Sequence, residues 1–286
     1  MEGSNEQQGG GADMNFWKGL FEWSMKYQSD GTSNVQGSLS EVDKEWLEEA
    51  LRGAMVDLGK RLEDIKECLD DGTPEGSSQT PATIEEKEKL LDELLDLVES
   101  IDQAKDLSSI GGLSTLLHVL DSGIPSLQWR AAEVIATCAQ NNPEVQSSFF
   151  QGGAMDPIWA LLDSEDDTCQ LKALLGVSCL IRGSSQLHGY FSQHSGVSKM
   201  IEIIENRMCK PPSPSTDRIV RKCLQIIQYA IENSSADKDQ ATRCSNMEHI
   251  LSNIIGDKNE NNDVTLAALE LLKTLGLQHA IQDVRC

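Results

Sequence analysis

Aromatic residues make up only 5% of this 286-residue chain. Leu, Ile, Ala and Val supply most of its apolar content at helical spacing, so the shortage argues against a β-sandwich and for stacked helices. No apolar run approaches the roughly 20 residues of a membrane-spanning helix. Residues 1–15, rich in Gly, Gln and Glu, lack the basic and apolar regions of a secretory leader. The eight cysteines form no CxxC pair, and several fall inside amphipathic stretches, as reduced core thiols of a cytosolic protein do. Catalytic signatures are missing as well: there is no Gly-rich phosphate loop, no GxSxG and no HExxH. The nearest histidine pair, His188 and His194, has no neighbouring cysteine pair and reads as turn residues rather than zinc ligands. These absences predict a protein that acts by binding, with no catalytic residue, metal or cofactor, in the cytoplasm or the nucleus; a monomer is the expected state.

Positive charge is also scarce. Lys and Arg number 24 against 46 Asp and Glu, a net charge of −22. Residues 1–110 are the acidic part, with 26 acidic and 10 basic side chains. No basic stripe stands out, which excludes nucleic acid and membrane surfaces as partners.

What the chain does have is helical periodicity. Residues 1–15 are too polar to bury a core and should form a disordered tail. An N-terminal helical region follows over 16–71, made of a dense apolar segment at 16–25 and a helix at 40–70 whose stripe includes Trp46, Leu51, Leu58, Leu62 and Ile65. The Pro- and Gly-bearing stretch 72–83 reads as a linker, and 84–286 as a repeat domain opened by a partial unit at 84–110. Gly-led helices begin at Gly112, Gly153 and Gly196, with a weaker copy from Asn246, so repeats are placed from 111, 153, 196 and 246. Longer helices begin near Gln128, Gln170, Arg218 and Asp263. Aligning Arg130, Lys172, Arg221 and Leu266 gives steps of 42, 49 and 45 residues, the period of armadillo or HEAT units. The long second step is assigned to a Pro-rich loop at 211–214.

The expected fold is therefore all-α, an armadillo-like right-handed superhelix of about four repeats whose long helices line a concave face. Helical spacing selects the positions on that face: Arg130, Glu133, Thr137 and Asn141; Lys172, Leu175 and Cys179; Arg221, Leu224 and Gln228; with Gln140 and Arg182 flanking.

Several segments carry a family resemblance. They are Leu20-Phe21-Glu22-Trp23-Ser24-Met25 with Ser29-Asp30-Gly31-Thr32, then Asp43-Lys44-Glu45-Trp46-Leu47-Glu48-Glu49-Ala50-Leu51, and above all Trp129-Arg130-Ala131-Ala132-Glu133-Val134-Ile135-Ala136-Thr137-Cys138 continuing to Pro143. Lys172 to Arg182 matches too. The chain resembles the Hsp70 nucleotide-exchange factors typified by yeast Fes1 and the animal Hsp70-binding protein, with plant-type forms nearest. The resemblance implies a co-chaperone whose repeats embrace the Hsp70 nucleotide-binding domain and favour its ADP-free arrangement. It also implies that Ala104 and Arg182 lie toward the chaperone, and that Phe16, Trp17, Leu20, Phe21, Trp23 and Met25 form a segment that helps release the client polypeptide. Two alternatives are open: an importin-like receptor for basic peptides, which would need a Trp and Asn ladder where Glu133, Thr137, Leu175, Cys179, Leu224 and Gln228 stand, and a non-catalytic scaffold or ligase adaptor.

Overall fold

The computed structural model describes residues 57–70, 82–244, 246–257 and 262–277. Four residues set its rhythm. Ser100, Asn142, Ser184 and Ser234, spaced by 42, 42 and 50 residues, each stand at the N-cap of a nine-residue helix. Ser184 and Ser234 accept from the backbone N–H of Leu187 and Asp237, the ordinary way a helix satisfies its first free donors.

Each short helix opens a unit of three. In chain order the helices are α1 (Leu58–Leu69) and α2 (Ile84–Val98), then α3 (Ile101–Ser109), α4 (Gly112–Leu120) and α5 (Pro125–Ala139). The second unit is α6 (Pro143–Gln151), α7 (Met155–Leu161) and α8 (Asp167–Ile181). The third is α9 (Ser185–Gln193), α10 (Gly196–Met208) and α11 (Pro214–Asn233). The fourth, complete like the others, is α12 (Ser235–Arg243), α13 (Met247–Asp257) and α14 (Asp263–Leu275). The sequence reading found the second and third helix of each unit but not the first, and so began its repeats one helix late.

The turn between first and second helix explains the small residues there. Gly111, Gly153 and Ser195, 42 residues apart, all adopt left-handed backbone, with φ of 83°, 71° and 56°. The next position holds Gly112, Ala154 and Gly196, each buried. A Cβ on Gly112 would lie 2.2 Å from the Leu107 side chain, and one on Gly196 would lie 2.5 Å from the Phe191 ring, so the first helix closes on the second only where a side chain is small. Gly153 therefore corresponds to Gly111, not Gly112, a shift of one residue from the sequence alignment. The added length of the third unit is also only partly loop. Pro214 is the first residue of α11, where its fixed φ suits a helix start, and α11 runs 20 residues against 15 for α5 and α8.

The third helices pack in succession, α2 on α5, α5 on α8, α8 on α11 and α11 on α14, and form a continuous ladder. Behind it lies one apolar core running from Leu62 and Ile65 of α1 to Leu271 and Leu272 of α14. The compact unit begins at Leu58. Helix α1 belongs to it, packed on α2, α3 and α4, with the Arg61 guanidinium 2.6 Å from Glu93 of α2. The domain boundary read at 72–83 thus falls inside this unit. The tail at 1–15, the segment at 16–25 with Phe16, Trp17, Leu20, Phe21, Trp23 and Met25, and most of the helix read at 40–70 lie outside the described residues.

Candidate interaction face along the helix ladder

The ladder brings together most of the residues selected by spacing, and it pairs many of them with one another. Arg130 of α5 donates from Nε to Asp92 of α2 at 2.8 Å, lies near Glu88, and stacks over the Trp129 ring at 4.2 Å. Lys172 of α8 reaches back to Glu133 of α5 at 2.5 Å. Arg221 of α11 reaches forward to Asp263 of α14 at 2.5 Å, and Gln228 donates to Thr274 at 2.7 Å. These half-exposed pairs each contribute little, about 0–1 kcal/mol. Their chief effect is to fix the orientation of charge from one repeat to the next.

Gln140, Asn141 and Arg182 belong to the ladder's end rather than its face. Gln140 and Arg182 are C-caps of α5 and α8, and Asn141 turns the chain with φ 54°, a left-handed geometry that Asn tolerates better than most residues. Gln146 explains the order of that edge. Its buried amide donates to the carbonyls of Ala139 at 2.9 Å and Arg182 at 2.8 Å, closing the ends of two ladder helices together. The Arg182 guanidinium lies 4.5 Å from the Tyr229 ring of α11.

Three assignments need correction. Ala104 is only 1% exposed and sits on α3, which packs on α2, α4 and α6, so its methyl belongs to the core rather than to an open face. It occupies the position of Gln146 and His188, 42 residues on each time, on the inward side of the first helix in the first three units; the fourth unit has exposed Lys238 there. Leu224 is fully buried. Histidines 188 and 194 stand in or beside a helix rather than in a loop: His188 of α9 meets the buried carboxylate of Asp237 at 2.9 Å, and His194 stacks on Tyr190. Thr137, Leu175 and Cys179 are half-buried on the ladder. Burial pushes the Cys179 thiol up, which disfavours the thiolate form.

The sequence reading missed a cationic site because its members come from two helices about 45 residues apart. Lys172, Leu171 and Leu175 of α8 and Arg218, Arg221, Lys222 and Gln225 of α11 line one open pocket of about 190 Å³. None of its described lining residues is a carboxylate. A second concavity of about 310 Å³ follows toward α14, edged by Arg182, Gln228, Tyr229, Glu232 and Glu270. The first pocket is cationic within a chain of net charge −22.

Comparison with known proteins identifies the repeats. The family model described as the SIL1/FES1/HPBP1 C-terminal domain matches residues 103–250, and that described as nucleotide exchange factor Fes1 matches residues 17–107. Hsp70-binding protein 1 of Rattus norvegicus is 30% identical over 200 residues, 68% of this chain and 56% of its own length. The Hsp70 nucleotide exchange factor FES1 of Yarrowia lipolytica is 28% identical over 160 residues, 55% of each chain. This chain thus spans little more than half the length of those relatives. Among solved structures, a designed armadillo repeat protein superposes with a TM-score of 0.60 at 18% identity, over 82% of this chain and 86% of its own, a likeness of fold alone. The residues that build the ladder lie within the two matched segments for most of its length, and this chain belongs to the SIL1/FES1/HPBP1 family.

Proposed function

We propose that this protein is an Hsp70 nucleotide-exchange factor. Its helix ladder grips the Hsp70 nucleotide-binding domain in its nucleotide-free arrangement, so that ADP leaves and ATP and then client release follow. The reading is carried by one observation above others: the two family models together span residues 17–250, and one of them is described as an exchange factor. The names of the relatives from Rattus norvegicus and Yarrowia lipolytica support it.

Such an activity needs no catalytic side chain. A protein that binds the empty state of its partner more tightly than the ADP-bound state must, by linkage, weaken ADP binding by the same factor. The ladder suits that task because its cross-repeat pairs hold a large surface in one shape, which keeps the entropy cost of binding low. We place the action in the cytoplasm, a reducing compartment where the free cysteines stay reduced. The apolar segment Phe16, Trp17, Leu20, Phe21, Trp23 and Met25 would act on client release. An importin-like reading fares worse, because a pocket lined by Lys172, Arg218, Arg221 and Lys222 opposes a basic peptide.

The test is a titration of the Hsp70 nucleotide-binding domain with this protein, with and without ADP. Binding should be at least tenfold tighter without ADP. Equal affinity in both states would remove the exchange reading and leave a scaffold.

A further inference from the structure

We propose that the pocket between α8 and α11 is the acid-reading part of the interface: Arg218 and Lys222 receive carboxylates from an acidic surface of the bound Hsp70 domain. This rests on the exchange-factor reading and names the chemistry by which the partner is recognised.

Four cations line the pocket, and two of them are already satisfied, Lys172 by Glu133 and Arg221 by Asp263. Arg218 and Lys222 form no ion pair or side-chain hydrogen bond among the described residues. They are one helical turn apart, with Arg221 between them, so three like charges share one stripe of α11. That arrangement disfavours the free protein. Lys222 is half-buried as well, and its burial, aided by the nearby charges of Arg182 and Arg221, holds its ammonium below the usual lysine range. Its charge has lost water without gaining a counter-ion, and a carboxylate delivered from outside would supply one. The contrast with the whole chain is sharp. Residues 167–233, from the start of α8 to the end of α11, carry eight basic and five acidic side chains, while the protein as a whole is at −22.

The surroundings favour a protein carboxylate over a phosphate. The pocket begins just past the first turn of both helices, at Leu171 and Arg218, where backbone N–H groups are already spent on the helices themselves. Phosphate sites draw on free N–H groups at a helix start. Its volume of about 190 Å³ is below the roughly 300 Å³ at which small-ligand sites begin. Leu171, Leu175 and Gln225 add apolar and amide surface between the cations, the mixture found where two folded proteins meet.

The experiment uses the full chain. Arg218→Glu/Lys222→Glu and the milder Arg218→Gln/Lys222→Gln are compared with the unaltered protein for affinity to the nucleotide-free Hsp70 domain at 50 and 300 mM KCl, with thermal midpoints as the folding control. The reversed variant should bind at least tenfold more weakly, the neutral one severalfold more weakly, and both should lose part of the salt dependence while the midpoint stays level or rises. If the unaltered chain binds and both variants match it within twofold with the same salt slope, the pocket is not the acid reader although the exchange reading survives. If the unaltered chain fails to bind, both fall. Weakening of the unaltered chain by 10 mM inorganic phosphate beyond the effect of ionic strength would also overturn the assignment, since the pocket would then be a phosphate site.

Discussion

The Nε of Arg207, at the end of α10, donates to Oε1 of Gln170 in α8 at 2.7 Å, and both residues are buried. The same guanidinium meets Asp167, which accepts from Ser215 of α11 at 2.6 Å, while the Gln170 amide donates to the Leu162 carbonyl at 2.6 Å. One arginine thus fastens the starts of two ladder helices to the second helix of the third unit. The pocket formed by Lys172 and Arg218 lies on those same helices, so its geometry depends on this contact.

Replacing Arg207 with Met keeps the apolar stem and removes the fork, leaving the Gln170 carbonyl without its donor. The expected cost is about 2–3 kcal/mol, toward the low side for a buried pair because Asp167 is 40% exposed. Thermal unfolding should show a midpoint roughly 5–10 °C lower. An unchanged midpoint would mean that the network contributes nothing.

Asp167 gives the pH dependence. The Ser215 hydroxyl first, and then Arg207, hold its carboxyl below the usual range. A folded pKa below the unfolded one stabilises at pH above the ordinary carboxylate value of about 3.9, and this contribution disappears as pH falls through the folded value. Between pH 5 and pH 3 the unaltered protein should lose more thermal stability than Asp167→Asn, by a degree or two given the exposure. Parallel losses would contradict the assignment.

The glycines of α9 and α10 should respond in opposite directions. A methyl on Gly196 meets the Phe191 ring at 2.5 Å, and overpacking of this kind costs about 1–3 kcal/mol. Gly189 sits inside α9 with open space around its Cβ position, so Gly189→Ala should stabilise by about 0.5–1 kcal/mol. Chemical denaturation of both variants measures the pair, and a stable Gly196→Ala would refute the close approach of α9 and α10.

Thiol reactivity should follow burial. Burial pushes the Cys138 thiol up to about 12 and that of Cys169 to about 11, and raises Cys223 further, whereas Cys68 and Cys209 are exposed. At pH 8 a chromogenic disulfide should label Cys68 and Cys209 in the first fast phase, read by peptide mass mapping, and reach Cys138 and Cys223 only on unfolding. Fast labelling of Cys223 would show that the core at α11 opens readily.

The second and third helices were legible because they are apolar enough to show their stripe, as in Leu113, Leu116 and Leu120 or Ile219, Val220 and Cys223. The first helices were not. Helix α12 buries only Asp237 and Ala241, and α9 only the pair Leu187 and Phe191, so nine residues show at most one apolar pair, too little to read as a stripe. Their trace is the capping residue at Ser100, Asn142, Ser184 and Ser234. On the ladder, spacing put Arg130, Glu133, Lys172, Arg221 and Gln228 on the correct helices. It could not reveal that Lys172 meets Glu133 or that Arg221 meets Asp263, since those partners lie 39 and 42 residues away. For the same reason Lys222 and Arg218 read as ordinary helix surface until α8 was laid beside α11.

A segment effect separates the two halves of the proposed action. Removing residues 1–30 should leave ADP release from Hsp70 intact and slow the release of a bound fluorescent client peptide. Loss of ADP release instead would place that segment in the exchange step.

The central claim rests on one kinetic measurement. Hsp70 preloaded with fluorescent ADP is mixed with excess ATP in the presence of increasing amounts of this protein, and the release rate is followed. The account predicts a rate that rises with protein concentration to a plateau at least tenfold above the spontaneous one, and lower at equal concentration for Arg218→Glu/Lys222→Glu. A release rate that does not change at any concentration would contradict it.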